Sequence, residues 1–239
     1  MSGRKPGSRS GGRGLTVRVR TARGRKPSST RWLQRQLNDP YVAEARRSGY
    51  RSRAAFKLLE LDDRCKLLRP GLSVVDLGAA PGGWTQVAVE RTGAGTSGRA
   101  RVLAVDVLEM EPVAGAETMV LDIRDADAPE RLRAALDGPV DVVLSDMAAP
   151  TTGHRQTDHL RTMALCEAAA DFAAGVLAPG GALVLKAFQG GAEAGLLALL
   201  KRDYARVRHV KPPASRDESP ETYLVATGFR RGIKNDKKS

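Results

Sequence analysis

The chain has 239 residues, of which 41% are apolar and 4% aromatic. That is enough apolar material for one large packed domain with appendages, so a wholly disordered chain is excluded, as is a binding surface built mainly of stacked aromatic rings. Lys and Arg number 39 against 27 Asp and Glu, a net charge of +12, yet residues 1–38 hold 11 basic residues and no acidic one, leaving 28 against 27 for residues 39–239. Nearly all the excess sits in a tail.

Residues 1–27 are rich in Arg, Gly and Ser and read as a disordered basic tail. They lack the apolar stretch of a secretory signal, and glycines at 3, 7, 11, 12 and 14 oppose the amphipathic helix of a mitochondrial presequence. No run approaches the ~18 apolar residues of a membrane helix, so a soluble, cytoplasmic, monomeric protein with no membrane partner is expected. Cys65 and Cys166 fall on separate predicted helices without CxxC spacing. They read as free buried thiols in a reducing compartment, with no metal site.

After the tail, Asp39-Pro40 predicts the N-cap and first-turn proline of a short helix that stops at Gly49. Residues 51–68 then place Phe56, Leu59 and Leu67 on one helical face. Residues 28–69 thus form a basic helical segment in which Arg46, Arg47, Arg51, Arg53 and Lys57 lie close together, either as a solvated face or as a track for phosphates. Beyond Pro70-Gly71 the pattern predicts strands at 73–77, 101–106, 118–121, 140–145, 181–187, 205–210 and 222–228, with helices near 84–92, 127–137, 157–177 and 192–203. Nearly continuous apolar strands alternating with helices predict an α/β domain over 28–230, its parallel sheet covered by helices on both faces. The last two strands, separated by a turn-rich stretch, are expected to pair antiparallel at one edge. Residues 231–239 form a second basic tail.

Such a sheet binds its ligand beyond the carboxyl ends of the strands. The first of these ends, VVDLGAAPGGW, is a strand, a Gly-rich turn and a helix start, but its glycines at 78, 82 and 83 do not make the GxGxxG spacing that cradles a pyrophosphate. Asp106 ends the second strand, where a carboxylate accepts from two ribose hydroxyls. Asp122 follows the third, placed for the amino group of an adenine. A nucleoside without a diphosphate and with a cationic centre fits S-adenosylmethionine. Trp84 reads equally as a packed core residue and as the edge of the cofactor pocket.

In order, SSTRWLQ, YRSRAAFKL, VVDLGAAPGGWTQ, AVDVLEMEP, LDIRD, VLSDMA, LAPGGALVLKAFQG and SPETYLVATG resemble the FtsJ/RlmE family of ribose 2′-O-methyltransferases from about Ser28 to Phe229. The resemblance implies a Rossmann-like class I methyltransferase, a seven-stranded mostly parallel sheet with one antiparallel edge strand, and S-adenosylmethionine as cofactor. It implies a uridine ribose in large-subunit (23S) ribosomal RNA as substrate. Cofactor positions fall on Gly82, Trp84, Asp106, Asp122 and Asp146. The family's catalytic Lys-Asp-Lys-Glu set falls on Lys57, Asp146, Lys186 and Glu221. Many members read MAPN after the catalytic Asp, whereas this chain has Met147-Ala148-Ala149-Pro150, which puts any role of that Asn in doubt.

Methyl transfer to a hydroxyl requires a positioned acceptor and a base for its proton. A ribose hydroxyl is a weak acid, so a lysine base is useful once part of it is neutral, and a second cation and a dry pocket both disfavour the ammonium. Lys186 ends an apolar strand, an unwelcome place for a lysine without a task, and is read as the general base. Lys57 supplies the second charge, Asp146 orients Lys186, and Glu221 holds Lys57 or the ribose. His154 and His159 lack the i,i+4 spacing of a metal pair. A non-catalytic RNA-binding assembly factor would have lost Lys186 or Asp146, and a base methyltransferase would carry a Cys nucleophile or an Asn/Asp-Pro-Pro-aromatic loop. Methylation of a transfer RNA or other RNA ribose keeps the same residues and is the alternative substrate.

Arg46, Arg47, Arg51 and Arg53, with the tail, are expected to follow RNA phosphates. Deleting residues 1–27 should therefore weaken RNA binding and flatten its salt dependence by about 0.7–0.9 in the log–log slope per lost phosphate contact. The methylated position should stay unchanged; titrations at several salt concentrations and mapping of the product check both halves.

Overall fold

The computed structural model describes residues 27–230 except 97, 151 and 189–193. Apart from Pro27, both basic tails lie outside the described residues. Three helices come first: α1 (Pro27–Leu37), α2 (Pro40–Arg47) and α3 (Ala54–Cys65). As the sequence predicts, Asp39 caps α2, its carboxylate accepting the Tyr41 N–H at 3.0 Å. The α3 helix ends where Lys66 turns left-handed (φ 55°), and buried Asp62 accepts the next free amides, those of Leu67 and Leu68, at 2.8 Å each.

Strands and helices then alternate through β1 (Val74–Leu77), α4 (Gly83–Thr92), β2 (Val102–Asp106), β3 (Glu117–Val120), α5 (Ala128–Ala135), β4 (Val140–Ser145), α6 (Arg155–Val176), β5 (Leu177–Phe188), α7 (Ala194–Asp203), β6 (Tyr204–Val210) and β7 (Glu221–Phe229). They form one seven-stranded sheet in the order β3-β2-β1-β4-β5-β7-β6. The first five strands in that order run parallel. The expected antiparallel pair closes one edge, and the reversed strand, β7, lies one place in from it, between β5 and β6. Between β2 and β3 the chain crosses without a helix.

Side chains on a strand alternate between faces, and the core divides accordingly. Val75, Leu77, Leu103, Val105, Leu183 and Leu185 pack with α5, α6 and α7, whereas Val74, Val102, Leu144, Val184 and Tyr223 pack with α3 and α4. Counting by twos along that second face from Val74, Val102, Leu144, Val184 and Val225 leads to Asp76, Asp106, Asp146, Lys186 and Glu221. The charged strand-end residues therefore share the face that α3 covers.

Of the thiols, Cys166 is buried and donates to the Lys186 carbonyl at 3.0 Å, and Cys65 is half-buried. No helix among the described residues is long and apolar enough to cross a membrane. Leu224 is fully buried in β7 against the α6–α7 layer. Replacing it by Ala should cost roughly 2–5 kcal/mol of unfolding free energy, read from urea denaturation.

Candidate functional site

Sheet register sets the centre of the site. Ser145 lies beside Leu185 in the parallel β4–β5 pair, so the next residues along, Asp146 and Lys186, become neighbours. On its other side Lys186 faces Tyr223 across the antiparallel β5–β7 pair. The Lys186 ammonium donates to the Asp146 carbonyl at 3.2 Å and lies 3.3 Å from Asp146 Oδ1 and 3.8 Å from Glu221 Oε2. From above, α3 lowers Lys57 to 2.7 Å from Glu221 Oε1. These four side chains are only 9–16% exposed. Two cations and two carboxylates thus occupy one buried volume at the carboxyl ends of the strands.

Tyr223, fully buried, is a fifth member that the sequence reading passed over. Its hydroxyl donates to Asp146 Oδ1 at 2.7 Å, and its ring lies 5.9 Å below the Lys57 ammonium and 5.6 Å from the Trp84 ring. Burial, with Asp146 and Glu221 beside it, raises the Tyr223 phenol well above its ordinary value, so it stays a donor. The signal was present in the sequence: Tyr223 follows Glu221 by two, the spacing of one strand face. Burial pushes the Glu221 carboxyl up, but Lys57, Lys186 and the donated bonds from Lys57 and Ser215 outweigh it and hold Glu221 below the usual range.

The Gly-rich turn is built against the segment before it. Gly78 and Gly82 have positive φ, and a Cβ on Gly78 would stand 2.9 Å from the Met147 backbone, so glycine lets the turn lie against the chain beyond Asp146. Gly82 and Gly83 instead meet Arg51 and Ser52. The Arg51 guanidinium donates to the carbonyls of Pro81, Glu111 and Pro112. The Trp84 indole donates to the Ala54 carbonyl at 2.8 Å, and at 3% exposure its ring lies in the core.

Asp106 and Asp122 stand at adjacent strand ends, Asp106 pairing with Val120 and accepting the N–H groups of Ala80 and Leu108 at 2.9 Å. Beyond Asp106, Val107 and Leu108 are 57% and 64% exposed, an apolar face suited to a flat ring. A hollow of about 240 Å³ also borders Asp106, walled by Leu108, Thr118 and Val120. The Asp122 carboxylate is gripped by Arg124, which holds it below its usual range, so a ligand amino group there must share it with that guanidinium. Carboxylates beside an exposed apolar surface fit a cationic nucleoside, and the donor set suits S-adenosylmethionine.

The four arginines part company. Arg46 is exposed and Arg47, also exposed, pairs with Glu44. Arg51 is committed to the turn, and Arg53 is tied to Asp39 at 3.0 Å and to the Ala214 carbonyl at 2.6 Å. Among the described residues no group of His, Cys, Asp and Glu is arranged to hold a metal ion.

Residues 50–229 match the profile of the FtsJ-like methyltransferase family. The chain is 65% identical over 220 residues to the ribosomal RNA large subunit methyltransferase E of Rhodospirillum rubrum, covering 92% of this chain and 84% of that one. It is 62% identical over 232 residues to the protein of that name from Paramagnetospirillum magneticum, covering 96% and 95%. The crystal structure of a ribosomal RNA methyltransferase from Plasmodium falciparum superposes with a TM-score of 0.66 at 30% identity, over 75% of this chain and 98% of that one.

A further buried carboxyl lies beneath the turn. Asp76 is fully buried, its Oδ2 accepting the Thr85 hydroxyl at 2.7 Å and its Oδ1 without a partner. Burial pushes it up to about 7 despite the Thr85 donor, with Asp146 and Asp106 acting in the same direction. Between the ordinary value of 3.8 and about 7 the folded chain keeps a proton that the unfolded chain has released, so this group's stabilisation declines as pH rises through that window. Asp76→Asn should flatten the slope of unfolding free energy against pH there, measured by urea denaturation at several pH values.

Proposed function

The chain belongs to the FtsJ-like methyltransferase family, and on that premise we propose that it methylates the 2′-hydroxyl of a uridine ribose in large-subunit (23S) ribosomal RNA. The observation that carries the reading is Lys186, an ammonium at the end of a buried strand, flanked by Asp146 at 3.3 Å and Glu221 at 3.8 Å. The names of the relatives support ribosomal RNA of the large subunit as the substrate.

Gly82, Trp84, Asp106, Asp122 and Asp146 would hold S-adenosylmethionine, with Trp84 contributing its backbone because its ring is buried. The bound cofactor supplies a methyl group already activated by the sulfonium charge. Lys186, once neutral, removes the proton of the ribose hydroxyl. Lys57 sits on the far side of Glu221 and brings a second positive charge into the site. Asp146 holds the Lys186 amine in direction, and Tyr223 fixes Asp146. Because the set is so closely coupled, its protons belong to the group as a whole. The exposed Arg46 and Arg47 are placed to meet phosphates, and the 2′-hydroxyl is the group that distinguishes RNA from DNA.

Labelling ribosomal particles with methyl-labelled cofactor and hydrolysing the RNA in alkali tests the acceptor. Alkaline cleavage needs a free 2′-hydroxyl, so ribose methylation leaves a resistant labelled dinucleotide and base methylation does not. Lys186→Ala should lower turnover by at least about 10²–10⁴-fold while cofactor affinity, measured calorimetrically, is retained. Undiminished turnover would remove Lys186 as the base.

A further inference from the structure

The β6–β7 connection, residues 211–220, is anchored to the helical segment at the other end of the chain. Ala214 is fully buried, donating its N–H to Glu60 Oε2 and accepting from Arg53 through its carbonyl, each at 2.6 Å. Arg53 and Arg216 both pair with Asp39, the cap of α2, at 3.0 and 3.1 Å. Within the loop, the Lys211 ammonium donates to the carbonyls of Asp217 and Ser219. These ties fix the residue between Ala214 and Arg216. Ser215, 2% exposed, donates its hydroxyl to Glu221 Oε1 at 2.8 Å, the oxygen that also takes the Lys57 ammonium at 2.7 Å.

We propose that Ser215 is a positioning residue for the methyl transfer and that the loop 211–220 is the strap that holds it in place. The inference rests on the reading of Glu221 as part of the catalytic set. Attraction to two lysines depends only weakly on direction, so charge alone does not fix the plane of the Glu221 carboxylate. A directional donor from a fixed backbone removes that freedom. Oε1 is then held on Lys57 and Ser215, and Oε2 is left turned toward Lys186. Asp39, Arg53 and Arg216 act one step further out by keeping Ser215 within reach.

The test uses the full chain, ribosomal particles and labelled cofactor. Ser215→Ala should reduce kcat about tenfold, the effect expected for a lost hydrogen bond to a charged group. KM for RNA and cofactor should hardly move, because Ser215 at 2% exposure offers almost no surface to either. Ser215→Thr, which keeps the hydroxyl, should recover most of the loss. In a double-mutant cycle, Ser215→Ala should cost little once Glu221 is Gln, whereas a purely structural role would add its full effect in either background. Arg216→Gln loosens the strap from its more exposed side and should show the same dependence on Glu221, which keeps the test open if Ser215→Ala does not fold. Additive losses, a Thr variant no better than Ala, or an undiminished kcat in Ser215→Ala overturns the proposal. Should Glu221→Gln itself turn over normally, the catalytic assignment of Glu221 fails, an outcome distinct from an impaired Glu221→Gln beside a normal Ser215→Ala.

Discussion

Taking one ammonium or carboxylate out of water costs several kcal/mol, and the group at the strand ends buries two of each sign. Removing any one member leaves an opposite charge buried without its partner, at a cost in stability. Lys57 is neutralised by Glu221, Lys186 by Asp146 and Glu221, and the leftover acceptor capacity of the carboxylates is met by the hydroxyls of Tyr223 and Ser215. This requirement explains why residues from α3, the end of β4, β5, β7 and the β6–β7 loop must converge to within hydrogen-bonding distance. The set also depends on the place of the reversed strand. Only with β7 beside β5 does Tyr223 stand opposite Lys186.

The N-terminal helices complete the domain from outside its alternating strands and helices. Lys57 enters the charged set from α3, Trp84 is tied to Ala54, and Arg51 and Ser52 lie against Gly82 and Gly83. The Gly-rich turn and the charged set are thus braced by the same short segment, residues 51–57. A basic cluster in sequence proves to be a mixture in space. Arg51 and Arg53 spend their guanidinium groups on backbone carbonyls and Asp39, whereas Arg46 and Arg47 stay on the surface.

Much of the fold was legible because burial on two faces writes itself into the strands as near-continuous apolar runs, and the glycines and prolines mark the turns. The boundaries moved slightly: β5 begins at Leu177, earlier than its apolar run, since Leu177 already pairs with Val140 before a register shift. The candidate site was legible where a residue type is costly in its local context, as with Lys186 closing ALVLKAF. Ser215 gave no such warning, and Tyr223 gave only its same-face spacing from Glu221. A tyrosine in a strand and a serine in a turn are ordinary, and their importance comes from where their hydroxyls point.

The sequence alone determined the alternating architecture, the tail that carries most of the net charge and the strand-end carboxylates, because periodicity and composition are local properties of the chain. Its motifs in order also carried the family resemblance. Only the tertiary structure decided which charges meet. Lys57 and Glu221 are separated by more than half the chain yet lie 2.7 Å apart, a contact set by α3 packing on the sheet and by β7 inserting beside β5. The near-neutral body from residue 39 onward conceals a cluster of buried charges, and their burial is offset because opposite charges from distant segments are brought together as it folds.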